Sequence, residues 1–288
     1  MARDPYQLTE ERILEPPSKW SGRLVHLGPG FILSASIVGS GELIATTTLG
    51  AKAGFVCLWV IIFSCLVKVT LQLEFGKHAI YSGKTSMSAL DDMPGPRFGR
   101  GRWSVWTWLG IMSFKCLQVG GIVGGVGLIM IEIFPVGTGA GREMGIAAWT
   151  VLSALLVSLL IFRGSYKPIE RWCLLMIGLF TLVTLVSVIA LQWTPNAITA
   201  AEFGSGLSLS IPSTAVLLIA IGAFGITGVG GDEIIAYNYW LIEKGYAAHT
   251  GPRPDPSDQA RHEAWLTRAR GWITVMKADA LLSMVCYT

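Results

Sequence analysis

The chain of 288 residues is 52% apolar and only 14% charged, with a mean hydropathy of +0.54 and a net charge of +3. A soluble domain carries about 25% charged residues, so this composition excludes one that covers itself with polar surface in water. The small net charge points to no partner, because in a bilayer the placement of Lys and Arg matters more than their sum.

Residues 1–26 mix both charge signs with Pro5, Pro16 and Pro17, unlike a signal peptide, and are expected to form a cytoplasmic tail. Seven apolar segments follow, at 27–51, 55–75, 105–134, 145–162, 172–193, 211–241 and 271–288. Each is near the ~20 residues needed to cross ~30 Å of hydrocarbon. The third and sixth are long, so tilt or a break is expected in them.

Arg3, Arg12, Lys19 and Arg23 precede the first segment, and Lys77, Lys84, Arg97, Arg100 and Arg102 follow the second. Arg163, Lys167 and Arg171 lie between the fourth and fifth, and Lys244, Arg253, Arg261, Arg268 and Arg270 between the sixth and seventh. The opposite connections hold only Lys52 and Arg142. This bias places the N-terminus on the cytoplasmic side of an inner or plasma membrane.

Val38-Gly39-Ser40-Gly41-Glu42-Leu43-Ile44-Ala45 in the first segment is matched by Val229-Gly230-Gly231-Asp232-Glu233-Ile234-Ile235-Ala236 in the sixth. At the same offset Gly54-Phe55 falls opposite Gly245-Tyr246, which makes coincidence a poor explanation. One stretch enters the bilayer from inside and the other from outside, so the repeat is inverted. The expected fold is an all-α polytopic membrane protein built on an inverted five-helix repeat. Residues 27–193 would form the first repeat and 194–288 the start of the second, truncated after about seven helices, so the chain reads as a fragment of a longer protein.

Glycine-interrupted apolar segments in corresponding places of two halves are the best sequence pointer to the substrate site of a secondary transporter. A helix broken at Gly39 or at Gly230 frees carbonyls at the end of its first half, which together with the negative end of the helix dipole suit a cation. Glu42 adds a charge just beyond the first break, and Asp232 and Glu233 add two beyond the second. The plainer account makes Ser40 and these acids caps of the resumed helices, an effect of ~0.3–1 kcal/mol each. A carboxylate in the membrane costs ~2.5–3.5 kcal/mol, so a function that needs charge explains the set better.

The remaining features carry less. Lys68 and Glu74 either line a cavity or, for Glu74, reach the inner interface; Lys115 snorkels or pairs with an acid; Lys277 and Asp279 read as structural pairing. Gly120-Gly121-Ile122-Val123-Gly124-Gly125-Val126-Gly127 reads as helix packing, since no strand precedes it as a dinucleotide fingerprint requires. The five cysteines lack paired spacing and read as packing residues. The eleven Trp fit interfacial belts and not nucleic-acid binding. His26, His78, His249 and His262 lie near or outside span ends and no nucleophile–base or cofactor motif stands out, so an enzyme is not expected. Oligomeric state is not readable.

Leu27-Gly28-Pro29-Gly30-Phe31, then Leu49-Gly50-Ala51-Lys52-Ala53-Gly54-Phe55 with Leu58-Trp59-Val60, and Gly83-Lys84 resemble the Nramp family of metal-ion transporters. The resemblance is good over 27–90 and recognisable around the sixth segment. It implies the fold of the sodium-coupled amino-acid symporters, with a cation held between broken helices one and six and moved by alternating access. Residue by residue it places Gly39 where the family has its Asp and Glu42 where it has its Asn. Gly230-Gly231-Asp232 stands for Met-Pro-His, and Thr227 for the carbonyl donor before them. Gln118 and Gly121 stand where the family's proton-pathway acids would be, which leaves a coupling proton an open expectation.

The expected metal-site residues are therefore Gly39, Glu42, Thr227, Gly230, Asp232 and Glu233. The expected cargo is a divalent ion of the Mn, Mg, Ca or Fe class, because oxygen ligands without the thioether favour hard cations; no resident cofactor is expected. The alternatives are a carrier of a small organic solute such as an amino acid, or a truncated remnant that transports nothing.

Overall fold

The computed structural model describes residues 4–137, 141–162 and 166–288, apart from the side chains at 40 and 41. Arg3, Arg163 and the Ser40 hydroxyl, all used above, lie outside the described residues. Helix α1 (Trp20–His26) leads into α2 (Pro29–Ile37), and α3 (Ser40–Ala53) and α4 (Leu58–Ser82) follow, the last ended by Gly83 in the left-handed conformation at φ 64°. The short α5 (Ser86–Asp91) precedes a two-stranded hairpin, β1 (Arg97–Phe98) antiparallel to β2 (Gly101–Arg102), with Arg97 opposite Arg102. Long helices α6 (Trp103–Ile133), α7 (Gly141–Phe162) and α8 (Tyr166–Leu191) come next. After α9 (Ala200–Gly206) the chain forms α10 (Thr214–Ile226), α11 (Gly231–Lys244), α12 (Tyr246–Thr250) and α13 (Gln259–Tyr287).

Five stretches among the described residues are long and apolar enough to cross a membrane: Glu42–Ser82, Trp103–Ile133, Gly141–Phe162, Tyr166–Leu191 and Thr214–Lys244. The first expected segment is cut at Val38-Gly39 into a nine-residue and a fourteen-residue helix, the second of which runs into the Glu42–Ser82 stretch. The seventh falls outside the set, being the end of a helix that opens on Arg261, Arg268 and Arg270 and holds Lys277 and Asp279. Outward-facing Phe114, Leu117, Leu159 and Phe162 on α6 and α7 suit lipid contact, since water would charge about 25 cal/mol for each Å² of them. The protein is thus an all-helical membrane protein.

The main core lies where α2, α4, α11, α12 and α13 meet, with Leu33, Cys65, Tyr237, Leu241, Trp272 and Met276 fully buried. Gly76 lets α4 approach α11 and α13 here, because a Cβ would stand 2.9 Å from the sulfur of Met276. A smaller core of Leu49, Cys57, Val60, Ala220 and Ala223 joins α3 and α4 to α10. The glycines of α6 divide. Gly127 sits against Ile146 and Thr150 of α7, as expected for helix packing, while Gly120, Gly121 and Gly124 face open space.

Two stretches outside the expected spans, the N-terminal residues and the 245–270 connection, are held by specific contacts. The N-terminal residues run across α12 and α13: the Trp272 indole donates to the Leu14 carbonyl at 2.9 Å, Arg268 pairs with Glu15 at 3.1 Å, and Leu14 N–H donates to His249 O at 3.0 Å. The 245–270 connection between the sixth and seventh segments contains the buried helix α12 and the first turns of α13. Tyr246 there donates to the His26 carbonyl at 3.0 Å. Apolar anchors spaced too widely for a helical pattern hold both regions, so periodicity does not reveal them.

Asp279 also has a definite place. Fully buried on α13, it accepts from the N–H groups of Gly28 at 2.9 Å and Gly30 at 2.6 Å, capping the start of α2 from a neighbouring helix. Beside it Lys244 pairs with Glu170 at 2.5 Å. A Cβ at Gly28 would collide with that Glu170 carboxylate, and one at Gly30 would lie 2.6 Å from the Ser283 hydroxyl, which explains the glycines around Pro29. Asp279 therefore pairs with backbone, not with Lys277.

Candidate functional site

The two matched stretches form two helix breaks of the same local build. Helix α2 ends at Ile37, Gly39 is extended, and α3 resumes with Gly39 as its N-cap and Glu42 in its first turn. Helix α10 ends at Ile226, Gly228 takes a positive φ of 72°, and α11 resumes with Gly230 as its N-cap and Asp232 and Glu233 in its first turn. Glycine suits position 228 doubly, since a Cβ there would also press on Cys65 at 3.1 Å from its sulfur. A Cβ at Gly230 would collide with the folded-back carboxylate of Glu233.

Between the breaks lies a cavity of about 250 Å³, lined by α2, α3, α6, α10 and α11. Gly39, Glu42, Gly230, Asp232 and Glu233 all face it, with Lys115 and Gln118 contributed by α6. Glu42 is a bridge between the breaks: its Oε1 accepts from the Gly228 N–H at 3.1 Å, while its buried Oε2 has no partner among the described residues. From the first turn of α3, Glu42 thus also reaches a backbone N–H of the opposite break.

One lysine answers part of the negative charge. Lys115 pairs with Asp232 at 2.9 Å and with Glu233 at 2.9 Å, and all three side chains are largely withdrawn from solvent. Glu233 keeps a second buried oxygen, Oε2, without a partner among the described residues, as does the Thr227 hydroxyl. The Thr227 carbonyl, expected as a ligand, instead accepts from Lys68 at 2.6 Å and from the Ser64 hydroxyl at 3.1 Å. Glu74 does not join this group; it is exposed and pairs with Lys77 at 2.5 Å. Among the described residues, no group of three or more His, Cys, Asp or Glu side chains converges closely enough to cage a metal. In this state the acids share one cavity, with their nearest positive partner a lysine.

The family profile of the natural resistance-associated macrophage protein-like proteins, Nramp, matches residues 30–241, which includes both breaks and the whole cavity lining. The chain belongs to the Nramp family. Among curated Nramp-type relatives, the divalent metal cation transporter MntH of Pectobacterium carotovorum subsp. carotovorum (strain PC1) is 26% identical over 219 residues. That alignment takes in 75% of this chain and 49% of the relative, so the chain spans about half the length of the curated Nramp protein it matches. No solved structure gives a significant match.

The sequence puts the Nramp chain's acids in one site, and of the two readings open for Lys115 the pairing with an acid is the one observed. Lys68, expected to line a cavity, instead meets the carbonyls at the end of α10. The available signal was that each is a cation inside an apolar run, which requires a partner at membrane depth.

Proposed function

We propose that the full-length protein is a membrane transporter of divalent metal cations of the hard class, such as Mn²⁺, Mg²⁺ or Ca²⁺. The cargo would bind between the broken first and sixth helices and move by alternating access. The observation that carries the reading is the cavity between the two matched breaks, with three carboxylates on its wall and the buried oxygens Glu42 Oε2 and Glu233 Oε2 unpartnered among the described residues. Membership of the Nramp family and the name of the MntH relative support metal as the cargo. Glu42, Asp232 and Glu233 would ligate, with Gly39 and Gly230 leaving the backbone accessible; Lys115 would withdraw from the acids as the ion arrives. Thr227, expected as a ligand, does not line the cavity, and its carbonyl is held by Lys68, so it would take no part in this arrangement.

Uptake into proteoliposomes is the test. Mn²⁺ is expected to enter and Cd²⁺ to compete weakly, since oxygen ligands give a soft ion little advantage. Tight, selective Cd²⁺ uptake would contradict this donor set. A second reading, transport of a small amino acid, gains from the lysines, which leave room for a zwitterion beside the acids; amino-acid uptake without Mn²⁺ uptake would establish it.

The proposed topology has the N-terminus cytoplasmic and two inverted repeats, 27–193 and the start of a second at 194–288. In a background without the five native cysteines, Ser257→Cys is expected to label only from the cytoplasm and Ser205→Cys only from outside. The reverse pattern would remove the inverted orientation of the two breaks.

A further inference from the structure

The end of α10 is the part of the site whose occupant is fixed. Where the helix stops, the carbonyls of Phe224, Gly225 and Thr227 lose their helical partners and turn toward α4. The Lys68 ammonium sits among them, donating to Thr227 O at 2.6 Å, Phe224 O at 2.8 Å and Gly225 O at 3.0 Å. Its three N–H donors meet three acceptors, so the group is fully satisfied by backbone. Ser64, one turn earlier on α4, donates to Phe224 O at 2.8 Å and Thr227 O at 3.1 Å, fixing the same carbonyls. The Phe224 ring lies 5.6 Å from the ammonium and adds its negative face. Among the described residues no carboxylate pairs with Lys68. The charge is held by carbonyl dipoles, in the way a protein holds a dehydrated monovalent ion.

We propose that Lys68 is a tethered cation filling a carbonyl cage at the α10–α11 break, so that this cage takes no dissolved ion. The ligand class the bare cage would accept is a small monovalent cation, ammonium or methylammonium above all. The plainer role is that of a lysine that only caps a helix C-terminus. The two differ in what happens when the side chain is removed but a free ion is supplied. A cage accepts the ion and recovers; a cap lost with its side chain does not.

The proposal uses Mn²⁺ uptake as its probe and so leans on the transport reading, but it has a readout that does not. In the purified full-length protein, Lys68→Ala is expected to lower the thermal midpoint, and methylammonium is expected to raise it again while leaving the parent unchanged. In proteoliposomes the same variant is expected to lose at least about tenfold in Mn²⁺ uptake, the loss of several charge-assisted hydrogen bonds, and to regain it with methylammonium but not with tetramethylammonium. Lys68→Met, whose uncharged chain fills the cage, is expected to stay inactive under both. A Lys68→Ala variant that methylammonium fails to restore in both stability and uptake overturns the proposal. If Lys68→Ala yields no protein, the same variant expressed and purified with methylammonium present decides: recovery of folded protein supports the cage, and no recovery overturns it. A parent that takes up no Mn²⁺ sinks the transport reading alone, because the midpoint shifts still decide the role of Lys68.

Discussion

Mn²⁺ uptake by the full-length protein is expected to fall at least about tenfold in Glu42→Gln and again in Glu233→Gln, at matched membrane levels. Both residues occupy the first turn after a break and face one cavity, and each keeps a buried oxygen without a partner among the described residues. Gln preserves the shape and can still accept from the Gly228 N–H, so the bridge between the breaks survives. What disappears is a formal charge that a dehydrating cation needs in place of its water. If the two acids were only caps of α3 and α11, Gln would cost little and uptake would match the parent. That outcome would leave Asp232 as the sole acidic candidate.

The second large effect belongs to Lys115. Replaced by Met, it leaves Asp232 and Glu233 side by side without the cation that now lies 2.9 Å from each. Removing one partner of a charge cluster this withdrawn from water destabilises by about 2 kcal/mol after allowance for partial exposure, or a midpoint lower by roughly 5 °C. The loss is expected to appear only in metal-free buffer. Mn²⁺ or Mg²⁺ is expected to restore the midpoint of Lys115→Met by more than it shifts the parent, because the ion takes up the vacated charge position. A midpoint lowered equally with and without divalent ions would mean that Lys115 only packs α6 against α11.

The breaks were legible because glycine and charge inside an apolar run are local and rare; both lie where the paired stretches put them, at Val38-Gly39 and at Thr227–Gly230. The convergence of Glu42, Asp232 and Glu233 on one cavity followed from reading those stretches as equivalent. The fates of the long cations were not legible. A lysine reaches several ångströms in any direction, and whether Lys68 meets a carboxylate, a carbonyl or the interface depends on how α4 crosses α10, which no spacing along the chain encodes. The structural role expected of Asp279 holds, but its partners were not legible: Lys277 is near in sequence, whereas the Gly28 and Gly30 N–H groups that hold it come from the opposite end of the chain. The buried α12 and the anchored N-terminal residues escaped because single apolar residues among prolines and charges carry no periodic signal.

Calorimetric titration of Mn²⁺ into the purified full-length protein, beside the Glu42→Gln/Glu233→Gln double variant, tests the central claim most directly. The parent is expected to bind one ion and the double variant none, with both equally folded by thermal midpoint. Equal Mn²⁺ binding by the two proteins would place the cation outside the cavity between the breaks and contradict the account.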